Sequence, residues 1–84
     1  MRVRITFKLF ATLSAHLPPT AVRQAVALQL DAPVTPNQLI DRFAVPRAQV
    51  HLVLVNGVYV AAEQRDEPLR DGDVLAIWPP VAGG

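Results

Sequence analysis

Asp71-Gly72-Asp73-Val74-Leu75-Ala76-Ile77-Trp78-Pro79-Pro80-Val81-Ala82-Gly83-Gly84 is the stretch on which the reading of this chain turns. Asp-Gly-Asp is turn chemistry, because aspartate side chains bond nearby backbone and glycine accepts a positive φ. Val74 to Trp78 is an apolar run of strand length. Pro79-Pro80 ends it, since proline has no N–H for a ladder, and a diproline favours a stiff, extended exit. Val81, Ala82, Gly83 and Gly84 are small or uncharged, and the two glycines have no side chain. Six residues from Pro79 reach about 20 Å when extended. Such a tail can thread a narrow channel and present its carboxylate to another protein's active site, with glycine permitting a backbone approach that a Cβ would obstruct. The plain alternative is a frayed end. At a glycine usage of about 7%, a Gly-Gly end arises by chance in roughly one chain in 200.

Upstream, residues 2–9 alternate Val3, Ile5, Phe7 and Leu9 with Arg2, Arg4, Thr6 and Lys8. That is the period of a strand with one buried face, the basic residues lying on its solvated side. Phe10, Leu13 and Leu17 have the spacing of a short helical turn, which Pro18-Pro19 stops. Residues 22–30 alternate again and predict a second strand, with Val22, Val26, Leu28 and Leu30 on one side. Thr35-Pro36-Asn37-Gln38 is a capping box with proline at the first helical position. Leu39, Ile40 and Phe43 continue it as an apolar stripe, predicting a helix of about three turns that ends by Ala44, ahead of Pro46. Residues 50–55 and Val58 to Val60 flank Asn56-Gly57, the strongest short-range hairpin signal. Glu63 to Glu67 reads as a charged, solvated loop.

The order is strand, strand, helix, strand, hairpin partner, strand. One helix can cover only one face of a sheet, so the residues predict an α+β roll with a mixed sheet of four to five strands. The chain has 84 residues, 51% of them hydrophobic and 18% charged. That suits a single compact domain, assigned to residues 1–80, with 81–84 as a flexible tail. A net charge of +1 argues against a nucleic-acid binder. With no cysteine there is no disulfide, thiolate metal site or thiol nucleophile. No apolar run approaches a membrane span and the first residues do not read as a signal peptide, so no membrane partner is expected and the cytoplasm is the default compartment.

The segment Asp71 to Gly84 resembles the C-terminal signature of the MoaD/ThiS family of ubiquitin-like sulfur carriers, with its D-G-D turn, hydrophobic strand, aromatic residue, P-P-V and closing G-G. Val55-Asn56-Gly57 and the capped Thr35-Pro36 helix are also similar. The P-P-V spacer is closer to the molybdopterin synthase small subunit than to thiazole-pathway carriers, while Leu17 to Val34 carries no diagnostic motif. The resemblance implies a β-grasp fold with the first and last strands paired in parallel at the sheet centre. It also implies a carrier rather than a catalyst. In that family a ubiquitin-activating-type adenylyltransferase adenylates the terminal carboxylate with ATP. A sulfur donor such as a cysteine desulfurase or rhodanese then converts it to a thiocarboxylate, which serves a large synthase subunit or another acceptor enzyme in molybdenum cofactor biosynthesis. Gly84 would bear the sulfur and Gly83 would give clearance. Val81, Ala82, Pro79 and Pro80 would be the guided tail, and Trp78 would help dock the partner. No cofactor bound to the chain itself is implied.

Other residues read more plainly. His16 and His51 lie far apart without paired spacing, and strand or loop placement is the default over metal binding. Asp71 and Asp73 read as turn formers rather than catalytic carboxylates. Trp78 is open between core and interface. The pathway stays open, since the sulfur could instead serve thiamine thiazole synthesis or another sulfur-transfer pathway. Two other functions remain open: a ubiquitin-like modifier joined through Gly84 to lysines of other proteins, and an interaction module with an inert tail.

Overall fold

The computed structural model describes residues 2–80. Five strands form one sheet: β1 Val3–Leu9, β2 Ala25–Leu30, β3 Leu52–Val55, β4 Val58–Tyr59 and β5 Val74–Trp78. Their spatial order is β2-β1-β5-β3-β4. β5 lies at the centre and pairs in parallel with β1, Thr6 opposite Val74 and Leu9 opposite Ile77. All other pairings are antiparallel. A single helix, α1 Pro36–Arg42, packs on one face. This is the mixed five-stranded sheet with one helix expected of a ubiquitin-like β-grasp roll.

The alternation in β1 is that of a strand with one wet face: Val3, Ile5, Phe7 and Leu9 are buried, and the residues between them are not. They join Val26, Val53, Leu75 and Ile77 of the sheet and Leu39 and Ile40 of α1 in one cluster. Leu69 and Val34 complete it from the loops, held together by the Leu69 N–H donating to the Val34 carbonyl at 2.7 Å. Leu69 lies beyond every predicted element, so its burial had no periodic signal.

The capping box forms as written. The Gln38 N–H donates to Thr35 Oγ1 at 3.1 Å, and the Thr35 N–H donates to Gln38 Oε1 at 2.9 Å. The helix is shorter than its predicted three turns, with seven residues or about two turns. It stops because Ala44 turns left-handed, with φ 57°. The Ala44 N–H then donates to Asp41 O and the Val45 N–H to Ile40 O, each at 3.0 Å. These two bonds make a Schellman motif, in which the left-handed position is normally glycine. Alanine there carries the steric cost of its Cβ. Ala44→Gly is therefore expected to stabilise the domain by about 0.5–1 kcal/mol, the relief of that strain exceeding glycine's extra chain entropy. Urea unfolding checks it: a higher midpoint with an unchanged slope is expected, and a lower midpoint would contradict it.

The second strand also starts later than residue 22. Arg23 and Gln24 have φ 52° and 65°, and Val22 and Ala25 exchange both backbone bonds across them, at 2.9 and 3.0 Å. This is a two-residue reversal with both central residues left-handed, the geometry that usually selects Asn-Gly. Val22 therefore does not join Val26 on the buried side; it is 68% exposed. The reversal is held by a tertiary bond, the Leu9 N–H donating to Gln24 O at 3.1 Å. At the predicted Asn56-Gly57 hairpin, β3 begins at Leu52 rather than 50 and β4 ends at Tyr59 rather than Val60. Asn56 and Gly57 take φ 52° and 82° between them.

The segment Phe10 to Leu17 is a 3₁₀ turn over Ala11–His16 with Leu13 buried. The loop 63–67 is solvated as expected and anchored through Asn37, whose N–H donates to Arg65 O and whose Nδ2 donates to Asp66 Oδ1. Beside α1, Arg47 grips Asp41 with two bonds of 3.0 and 2.7 Å. Those bonds hold the Asp41 carboxyl below the usual aspartate range. Whatever stability the exposed pair adds is present above that range and lost as pH falls through the lowered value.

Candidate functional site

The site is the outgoing end of β5, and its geometry is set from both ends of that strand. At the start, Gly72 turns at φ 90°. Its N–H donates to Arg4 O, and Asp71 Oδ1 accepts the Arg4 N–H, both at 2.7 Å. Asp73 Oδ2 accepts the Arg70 N–H at 2.8 Å, and its Oδ1 accepts Asn56 Nδ2 at 2.9 Å. Asn56 Oδ1 in turn accepts the Val74 N–H at 2.9 Å. Both aspartates thus act on backbone and turn groups, as turn formers do. The Asn56 side chain ties the β3–β4 hairpin to the start of β5, a role its Asn-Gly motif did not announce.

This double clamp fixes the register of β5 against β1 and β3, and with it the place where the strand ends. At that end the Phe10 N–H donates to Ile77 O at 3.1 Å, and the His51 N–H donates to Trp78 O at 3.0 Å. Pro79 and Pro80 come next, and neither can extend the ladder.

Trp78 is neither a core residue nor a bare one. Leu75 and Ile77 face the helix and are buried, so Trp78 lies on the opposite, uncovered face and is half-buried. Its indole stacks on the Phe10 ring, centroids 4.3 Å apart and planes within 6°. Stacking of this kind adds about 0.5–1.5 kcal/mol beyond burial and restricts both side chains. Phe10 was legible only as the first apolar residue of the turn. Its partnership with Trp78 arises from the parallel register, one step beyond Leu9–Ile77.

Next to the stack lies an apolar cavity of about 400 Å³, lined by Ala11, Thr12, His51, Leu52, Trp78, Pro79 and Pro80. The register carries the apolar band further, with Leu52 opposite Trp78, Leu54 opposite Ala76 and Tyr59 opposite Leu54. Tyr59 is 58% exposed. An uncovered apolar band leading to a strand exit is a surface suited to a protein partner. Of the predicted site residues, the structure brings Trp78, Pro79 and Pro80 together around this cavity. Val81, Ala82, Gly83 and Gly84 lie outside the described residues. Among the described residues no three His, Asp or Glu side chains gather as a metal site, and no helix is long and apolar enough to cross a membrane.

The fold and the clamped strand exit define the class, a ubiquitin-like β-grasp domain. Residues 8–84 match the ThiS family, and the chain belongs to that family. Its members are small carrier proteins, and the chain is a carrier rather than a catalyst. It is similar in structure to small archaeal modifier protein 1 of Haloferax volcanii, with 28% identity, TM-score 0.63 and coverage of 94% of this chain and 99% of that one. The Haloferax volcanii HVO 2177 protein shares the fold at TM-score 0.71 and 22% identity, over 99% of this chain and 88% of that one. So does a chain from the complex of subunits 1 and 2 of molybdopterin-converting factor from Helicobacter pylori, at TM-score 0.54 and 20% identity, over 98% and 100%. No curated protein sequence matches the chain.

Proposed function

We propose that the chain carries sulfur on the Gly84 carboxyl group and delivers it in molybdopterin synthesis. The observation that carries this reading is the construction of the β5 exit. A central strand, clamped at its start by Asp71, Asp73 and Asn56, ends in a stacked Trp78 and two prolines beside an apolar cavity. That arrangement directs the chain leaving Pro80 from a rigid base, and rigid placement of a reacting group is worth several powers of ten in rate. The family match supports the reading, because it extends through residue 84.

The chemistry is that of the functional group. A carboxylate is a poor electrophile at neutral pH. An adenylyltransferase that joins it to AMP from ATP supplies a good leaving group. The terminal sulfur of a persulfide donor then displaces AMP to form an acyl disulfide, and a thiol cleaves that S–S bond to leave the thiocarboxylate and a disulfide on the donor. The chain has no cysteine, so no side-chain thiol offers an alternative place to hold the sulfur. Trp78, Leu52 and the cavity dock the partners, among them a large synthase subunit. Pro79 and Pro80 end the ladder, and Val81, Ala82 and Gly83 are the segment that passes through the partner's channel.

Intact-mass spectrometry tests this. After incubation with ATP, the activating enzyme and a sulfur source, the chain is expected to gain about 16 Da, the replacement of one oxygen by sulfur. No such species under complete conditions would sink the proposal.

A second reading is favoured by the similarity to small archaeal modifier protein 1. In it the activated Gly84 is passed to amines of other proteins. The two share their first step, and isopeptide-linked adducts in lysate that vanish when Gly84 is deleted would identify the second.

A further inference from the structure

Of the eight basic residues in the chain, seven are arginine and only Lys8 is lysine. The difference matters once the Gly84 carboxyl group is activated, and the role inferred for Lys8 rests on that reading of Gly84. A guanidinium stays protonated at any physiological pH and offers no nucleophilic lone pair, whereas a lysine ammonium deprotonates near pH 10.4 in model peptides and reacts as the free amine. Arginine supplies positive charge without supplying an acceptor for an activated acyl group. The chain therefore carries a single side-chain amine.

Lys8 is placed to react. It lies on the uncovered face of the sheet, with Ala25 of β2 and Ala76 of β5 as its lateral partners. Both carry only a methyl group, so neither strand walls in the amine. The ion pairs among the described residues are Arg4 with Asp71 and Arg47 with Asp41. Lys8 thus has no carboxylate partner among the described residues. β1 and β5 run parallel with Lys8 opposite Ala76, so β5 has already passed the level of Lys8 before it reaches Trp78 and the two prolines.

We propose that Lys8 is the side chain through which this protein is joined to a second copy of itself, by an isopeptide bond from its Nζ to Gly84 of that copy. The lysine lone pair attacks the carbonyl carbon of the Gly84 acyl-adenylate formed from ATP. The new C–N bond replaces the C–O bond to AMP, AMP departs with that electron pair, and the amine proton passes to water. Because the product keeps one unused Gly84 and one unused Lys8, the linkage can be repeated.

The test uses the full chain with ATP and its adenylyltransferase, monitoring pyrophosphate release and covalent dimer together. No Lys or Arg occurs after Arg70, so trypsin leaves Asp71–Gly84 whole. The expected product is that peptide branched onto Lys8 within Ile5–Arg23. Lys8→Arg is expected to abolish the dimer and leave pyrophosphate release unchanged. Pyrophosphate release without a Lys8 branch, a branch on the N-terminal amine alone, a dimer that persists in Lys8→Arg, or an intramolecular lactam overturns this proposal and leaves the reading of Gly84 standing. No pyrophosphate release from the unaltered chain overturns both.

Discussion

Removal of Gly84 is expected to leave the unfolding midpoint unchanged and to abolish loading of the chain. The first half of that result is set by the described packing. Among the described residues the last ladder bond on β5 is the one from His51 to Trp78, and the core cluster contains none of them beyond Ile77. The second half is set by reach. Shortening the chain by one residue draws the carboxylate back by about 3.5 Å, and a misplacement of only 1 Å already costs about a hundredfold in rate where reacting atoms must be held in line. Adenylate formation, measured by pyrophosphate release and intact mass, is therefore expected to fall to background, while circular dichroism and urea unfolding match the parent chain. A chain that functions normally without its last two residues would show the tail to be inert.

The largest effect on stability is expected from Phe7→Ala. Phe7 is fully buried, its neighbours across the sheet are Val26 and Leu75, and its ring packs on Phe43 with centroids 4.8 Å apart. It is the largest of the fully buried side chains. Truncating such a residue costs about 3–5 kcal/mol, part lost transfer and part cavity. A domain of this length has about 4–12 kcal/mol in total. A large share of the native stability is therefore lost, and a substantial unfolded population at 37 °C is expected. Thr6→Ala, one residue away on the uncovered face, is expected to stay within about 0.5 kcal/mol of the parent. Urea unfolding of the two variants side by side measures the contrast. A Phe7→Ala shift as small as that of Thr6→Ala would contradict the placement of the core.

The elements that were legible from residues share one property: their signals are local. The alternation in residues 2–9, the Thr35–Gln38 capping box, the Asn56-Gly57 turn and the Pro79-Pro80 stop each depend on neighbours within a few positions. Boundaries were less legible where the backbone does something its residues do not advertise. Arg23, Gln24 and Ala44 all take positive φ without being glycine or asparagine. The turns that contain them are held by bonds to other residues, Leu9 to Gln24 and Val45 to Ile40 among them. Those bonds turned the predicted start of the second strand into a reversal and cut the helix to two turns.

The candidate site divides in the same way. The diproline exit, the tail residues and the absence of any thiol could be read directly, since they are matters of composition and order. That Trp78 stacks on Phe10 could not, because those residues are 68 positions apart in the chain and meet only when β1 and β5 pair in parallel. The same holds for Asn56 locking Asp73, and for Leu52 and His51 closing the cavity beside Pro79. Covalent order placed two glycines at the end of the tail. The parallel pairing at the sheet centre, a long-range choice paid for by burial of Phe7, Leu75 and Ile77, decided where that tail leaves the domain and which surface a partner meets beside it.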